Sequence, residues 1–113
     1  MSECLFCRIV AGEIPANEVM RTSEVVAFWD ISPQAPTHLL VVPTTHYDDA
    51  MAMSSADPAL AGRLLRAAGE VANSTGLDAG YRIVFNTGED GGQSVHHVHA
   101  HVLGGRALSW PPG

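Results

Sequence analysis

Basic side chains are scarce in this chain, with 6 Lys+Arg against 12 Asp+Glu and a formal net charge of −6 over 113 residues. Nothing here would neutralise the phosphates of DNA or RNA, so polymeric nucleic acid is not an expected partner. A single phosphate is different, because backbone N–H groups, hydroxyls and imidazoles can converge on it locally. No run approaches the roughly 20 apolar residues of a membrane helix, so no membrane partner is expected either. The start, Met1-Ser2-Glu3-Cys4-Leu5-Phe6-Cys7-Arg8, has an early acid and no apolar stretch of a secretion signal. The expected location is therefore cytoplasmic. There is no long polar tract, low-complexity segment or internal repeat, and 46% of residues are hydrophobic against 16% charged. That composition describes one globular domain, residues 1–113, small enough for a dimer interface to matter. Cysteine is scarce too, and both residues sit in Cys4-x-x-Cys7. In a reducing compartment such a pair points to metal or redox chemistry and away from a structural disulfide.

The elements follow from pattern and punctuation. Leu5, Phe6, Ile9 and Val10 recur at short-helix spacing, and Gly12-Glu13-Ile14-Pro15 ends that turn. Val19 to Arg21 and Val25 to Trp29 form a hairpin around Thr22-Ser23-Glu24. Two prolines make residues 30–36 a loop, and His38 to Val42 is a third strand stopped by Pro43. Asp57-Pro58 opens a long helix and Gly76 closes it, with Leu60, Leu64, Ala67 and Val71 as its apolar stripe. Tyr81 to Phe85 and His96 to Val102 complete five strands, joined by a glycine-rich loop. The expected fold is α+β, an antiparallel five-stranded sheet with one short N-terminal helix and one long helix.

The last strand carries the most chemistry. Alternation would set His97, His99 and His101 on one face, amid Val98, Ala100, Val102 and Leu103. Any one of these could be a hydrogen-bonded core histidine, but three in a row suit nucleophile, acid/base or metal-ligand roles. His99, with donors on both sides, is the best-placed nucleophile toward phosphorus. His101 and Ser94 would stabilise charge and pass a proton to the leaving group. The preceding Gly91-Gly92-Gln93-Ser94 offers an anion cradle of backbone N–H groups and side-chain donors. Cys4, Cys7, His46 and one histidine of the cluster would make a Cys2His2 zinc site, structural because four protein ligands close it; a redox pair or two buried thiols are the alternatives.

His97-Val98-His99-Ala100-His101-Val102-Leu103 resembles the histidine triad signature. The segments Asp30 to His38, Asp90 to Ser94, Leu103 to Arg106 and Trp110-Pro111-Pro112-Gly113 resemble the histidine triad nucleotide-binding protein branch. The resemblance implies a homodimer that binds AMP or GMP and hydrolyses adenosine 5′-phosphoramidates or aminoacyl adenylates. It implies His99 as the nucleotidyl acceptor, His101 as its phosphate-binding partner and His38 as a residue beside the site. Asp30 would hold the ribose, while Phe6, Ile9, Phe28 and Ile31 pack near the base. Asn86, Gly92, Gln93 and Ser94 would hold the phosphate, and Trp110 would approach the partner subunit's site. Bacterial members imply zinc on Cys4, Cys7, His46 and His97, with no organic cofactor. The chain departs from animal relatives in its cysteine pair, in Trp29 for a histidine, in His96 for a tyrosine and in the small Ala100. A dinucleoside polyphosphate hydrolase and a non-catalytic nucleotide-binding regulator are the competing readings.

Overall fold

Side-chain alternation divides the interior of this protein in two. In the computed structural model, which describes residues 3–113, Val25 and Ala27 of one strand join one apolar cluster while Val26 and Phe28 join another on the opposite side. Met1 and Ser2, part of the start read above, lie outside the described residues. The strands are β1 (Glu18–Arg21), β2 (Val25–Trp29), β3 (Thr37–Pro43), β4 (Tyr81–Phe85) and β5 (Ala100–Gly104). They form one antiparallel sheet in the order β1-β2-β3-β5-β4. Central β3 is buried along its whole length because both faces are covered.

The larger cluster lies under the long helix α3 (Pro58–Ser74), preceded by two shorter helices, α1 (Leu5–Val10) and α2 (Ala50–Ala56). Asp57 caps α3 by accepting the Leu60 N–H at 3.0 Å, and Pro58 occupies its first position, where no N–H is needed. The expected stripe of Leu60, Leu64, Ala67 and Val71 is buried across β2, β3 and β5. Opposite, α1 lays Phe6 and Ile9 over Val26, Phe28, Leu40 and Val42.

Two features differ from the sequence reading. There are three helices, not two: α2 is capped by Asp49, which accepts the Ala52 N–H at 2.9 Å, and it buries only Met53. Seven residues with one buried side chain leave no 3.6-residue period to detect. The last strand also starts at Ala100 and not at His96, because the Val98 N–H is taken by the Tyr47 carbonyl at 2.7 Å instead of by a strand neighbour. Where β5 ends, Gly105 has φ +90°, and a Cβ there would lie 2.9 Å from the Pro36 Cβ, so the turn against the 30–36 loop needs glycine. No helix among the described residues is long and apolar enough to cross a membrane.

Candidate active site and metal centre

On the α1 face the sheet is only partly covered, leaving a pocket of about 440 Å³. Its floor is apolar, with Phe6, Ile9, Phe28 and Leu40, and its polar groups are Asn17, Asp30, Ser94, His99 and His101. Phe6 meets Phe28 edge-on at 5.7 Å between ring centres and His99 at 5.0 Å. An apolar basin with a few convergent polar groups suits a ligand with a flat ring and a charged end.

The two pocket histidines hold different protons. His99 Nδ1 lies 2.8 Å from the His97 carbonyl, which can only accept, so Nδ1 carries the hydrogen and Nε2 keeps its lone pair. Burial holds the His99 pKa below the ordinary imidazole value, with that carbonyl and Asp30 pulling the other way. His101 is set through His38. The Gln34 N–H donates to His38 Nδ1 at 3.0 Å, so neutral His38 carries its hydrogen on Nε2 and donates it to His101 Nδ1 at 2.9 Å. His101 is left with Nε2–H as a donor. Burial, then the nearby His99 and His38, push the His101 pKa down to about 4. His38 is 4% exposed and shifted down by burial, with Asp30 Oδ2 at 3.5 Å opposing that shift.

The metal candidates converge just behind this pair. His97 Nδ1 lies 3.3 Å from Cys4 Sγ, 3.5 Å from Cys7 Sγ and 3.2 Å from His46 Nδ1, and Cys7 Sγ is 3.4 Å from His46 Nδ1. Tetrahedral zinc would need edges of about 3.3 Å between nitrogens and about 3.6 Å between nitrogen and sulfur. The far ring nitrogens are occupied, His97 Nε2 by the Pro43 carbonyl at 2.9 Å and His46 Nε2 by Asp48 Oδ1 at 3.1 Å. Each imidazole therefore turns an unprotonated Nδ1 inward, and lone pairs that meet at 3.2 Å repel one another unless a cation lies between them. Two thiols and two such imidazoles fit zinc, with the outer acceptors fixing ring orientation.

Of the nucleotide-binding candidates, Phe6, Ile9, Phe28, Asp30, Ile31, Ser94, His99 and His101 line the pocket, and His38 stands behind His101. Four do not line it. The Gly92 and Gln93 N–H groups are spent inside the loop on the Glu89 and Gly88 carbonyls, so they form no open anion cradle. The Gln93 amide bridges the Gly88 N–H to the Asp48 and Val95 carbonyls, and Asn86 clamps the Gly91 carbonyl. Trp110 is 84% exposed on a tail that Arg82 holds through the Ser109 and Pro112 carbonyls. Trp29 lines the pocket as well as packing against the α3-side cluster, and His96 is exposed. Sequence reasoning missed Leu5, Leu40, Val95 and the stretch Ile14, Pro15, Ala16 and Asn17, which also line the pocket. The stretch after α1 gave only a turn signal, and tertiary packing alone brings it to the site.

The comparisons agree with this architecture. A HIT-like protein of Synechococcus elongatus is 46% identical over all of both chains. A 14 kDa zinc-binding protein of Zea mays is 44% identical, over 99% of this chain and 89% of its own length. A HIT family hydrolase from Legionella pneumophila has a solved structure that superposes with a TM-score of 0.94 at 47% identity, covering 98% of this chain and 100% of that one. The HIT domain family model matches residues 11–108, and with these similarities this chain belongs to the HIT domain family.

Proposed function

We propose that this protein is a purine nucleotide-binding hydrolase that cleaves the P–N bond of nucleoside 5′-phosphoramidates such as AMP-NH2 and AMP-lysine, and also accepts aminoacyl adenylates. One observation carries the reading: His99 reaches the pocket with Nδ1–H tied to a main-chain carbonyl, which makes Nε2 a neutral nucleophile. In the first step the Nε2 lone pair forms a bond to phosphorus and the P–N pair leaves with the amine. The amine takes a proton through the Ser94 hydroxyl or His101. Water then attacks the nucleotidyl-His99, its oxygen bonding to phosphorus as the P–Nε2 bond breaks, and its proton replaces the one lent. Asp30 beside the apolar floor supports a ribose contact, with the purine over Phe6, Ile9, Phe28 and Ile31.

Zinc, when bound by Cys4, Cys7, His46 and His97, would act as a structural ion, since four protein ligands leave no open position. The donor geometry and the zinc-binding protein of Zea mays support this. A homodimer with Trp110 near the partner subunit's site is part of the reading. It draws support from β4, an edge strand of the sheet, with Tyr81 exposed. A cytoplasmic location completes it.

The test is AMP release from adenosine 5′-phosphoramidate by the wild type and by His99→Ala, with diadenosine tetraphosphate in parallel. Release from the phosphoramidate alone, abolished in the variant while AMP still binds, is the expected result. Full activity in His99→Ala would remove the nucleophile assignment. Cleavage of the tetraphosphate alone would move the protein to the dinucleoside polyphosphate hydrolases. AMP binding without turnover of either substrate would favour the regulator.

A further inference from the structure

We propose that the metal centre and the nucleotide pocket are energetically coupled, so that filling either one tightens binding at the other. This rests on the zinc and nucleotide readings above and adds a regulatory link between them.

Three contiguous connections join the sites. The first is His97 itself, whose Nδ1 faces the cysteines while its carbonyl holds the Nδ1–H of His99 at 2.8 Å. Any shift of this residue to close the metal site moves the acceptor that orients His99. The second is α1. Cys4 and Cys7 flank Phe6, whose ring meets His97 at 6.0 Å and His99 at 5.0 Å and forms part of the pocket floor. A helix of six residues cannot hold its own shape, so its position depends on the packing of Phe6 and Ile9 and on what anchors the two thiols. The third runs through the glycine-rich loop. His46 Nε2 bonds Asp48 Oδ1, the Asp48 carbonyl accepts from the Gln93 amide at 2.6 Å, and Gln93 Oε1 takes the Gly88 N–H at 3.0 Å. The next residue, Ser94, lines the pocket.

The main apolar cluster under α3 includes none of the four metal donors and no residue of α1. Metal loss therefore acts on α1, the His97 main chain and the loop, while the sheet, α3 and the packed Val98, Ala100 and Val102 persist. Coupling of two equilibria through a shared element is reciprocal, and its usual size is about 5- to 150-fold.

The experiment uses the full chain, zinc-loaded and chelator-stripped. Calorimetry gives AMP affinity in both forms, and competition with a chromogenic chelator gives zinc affinity with and without saturating AMP. We expect AMP to bind at least about fivefold more tightly to the loaded chain, and AMP to raise zinc affinity by the same factor. The stripped chain keeps its far-ultraviolet dichroism. Equal affinities, with both ligands bound, would overturn the coupling and leave both sites standing. Failure to take up zinc, or failure of the loaded chain to bind AMP, would overturn the underlying reading and the coupling with it. Loss of dichroism on stripping would also overturn it, making the metal a staple of the whole fold.

Discussion

His99 and His101 are the same side chain, yet the fold gives them opposite tautomers by choosing which nitrogen of each is protonated. The partners that make the choice are the His97 carbonyl for one and His38, held by the Gln34 N–H, for the other. At the metal centre the Pro43 carbonyl does the same for His97. Each Nδ1 there is a ready ligand, and Cys4 also caps α1 by accepting the Cys7 N–H at 3.3 Å. We expect metal analysis of protein purified without chelator to give about one zinc per chain. Cys4→Ser should lower Tm by about 4 °C or more while slowing turnover less, since it removes a metal donor and the α1 cap directly and reaches His99 only through His97. A variant with wild-type Tm and wild-type zinc content would refute that role. The residue types at both centres were legible in the sequence, because alternation and the Cys-x-x-Cys spacing depend on side chains. The tautomers were not legible, because carbonyl and N–H partners belong to the main chain and every residue has them.

Among the elements, α3 was the easiest to read. Its cap, first proline and stripe are local signals, and packing only confirms them. Leu64 is fully buried beneath it, so Leu64→Ala should cost about 2–5 kcal/mol in urea unfolding and leave KM unchanged, since the pocket lies across the sheet. A raised KM in that variant would show that the two faces are not independent. The histidine segment was harder. Its period of two is real, and His97, His99 and His101 all turn toward the pocket and metal side. The strand assignment failed at its start because the Tyr47 carbonyl, distant in sequence, takes the Val98 N–H. In the glycine-rich loop, the Gly92 and Gln93 N–H groups serve the loop's own turn, while Ser94 at its end lines the pocket.

For the whole molecule, buried neutral imidazoles make stability depend on pH. His101 in the folded chain titrates near about 4, whereas an unfolded imidazole titrates near about 6.5. Between those values the unfolded chain binds more protons, so stability falls as pH drops from about 6.5 toward 4 and is level above that window. His99 and His38 shift in the same direction through burial, which adds to the slope. The urea midpoint should therefore decline across this range. A midpoint constant down to about pH 4.5 would contradict neutral burial of these rings. The fold class was legible from five strands and a capped long helix; eight residues of the pocket were named through the family resemblance, but its wall at Ile14 to Asn17 was not, since it exists only where the stretch after α1 meets the sheet. Because the sheet sets its chief apolar core on one side and its reactive groups on the other, the protein divides its labour by geography. Substitutions beneath α3 and substitutions at Leu5, Ile14 or Asn17 in the chamber thus fall on opposite faces of the sheet, one set acting on the core and the other on the ligand's surroundings.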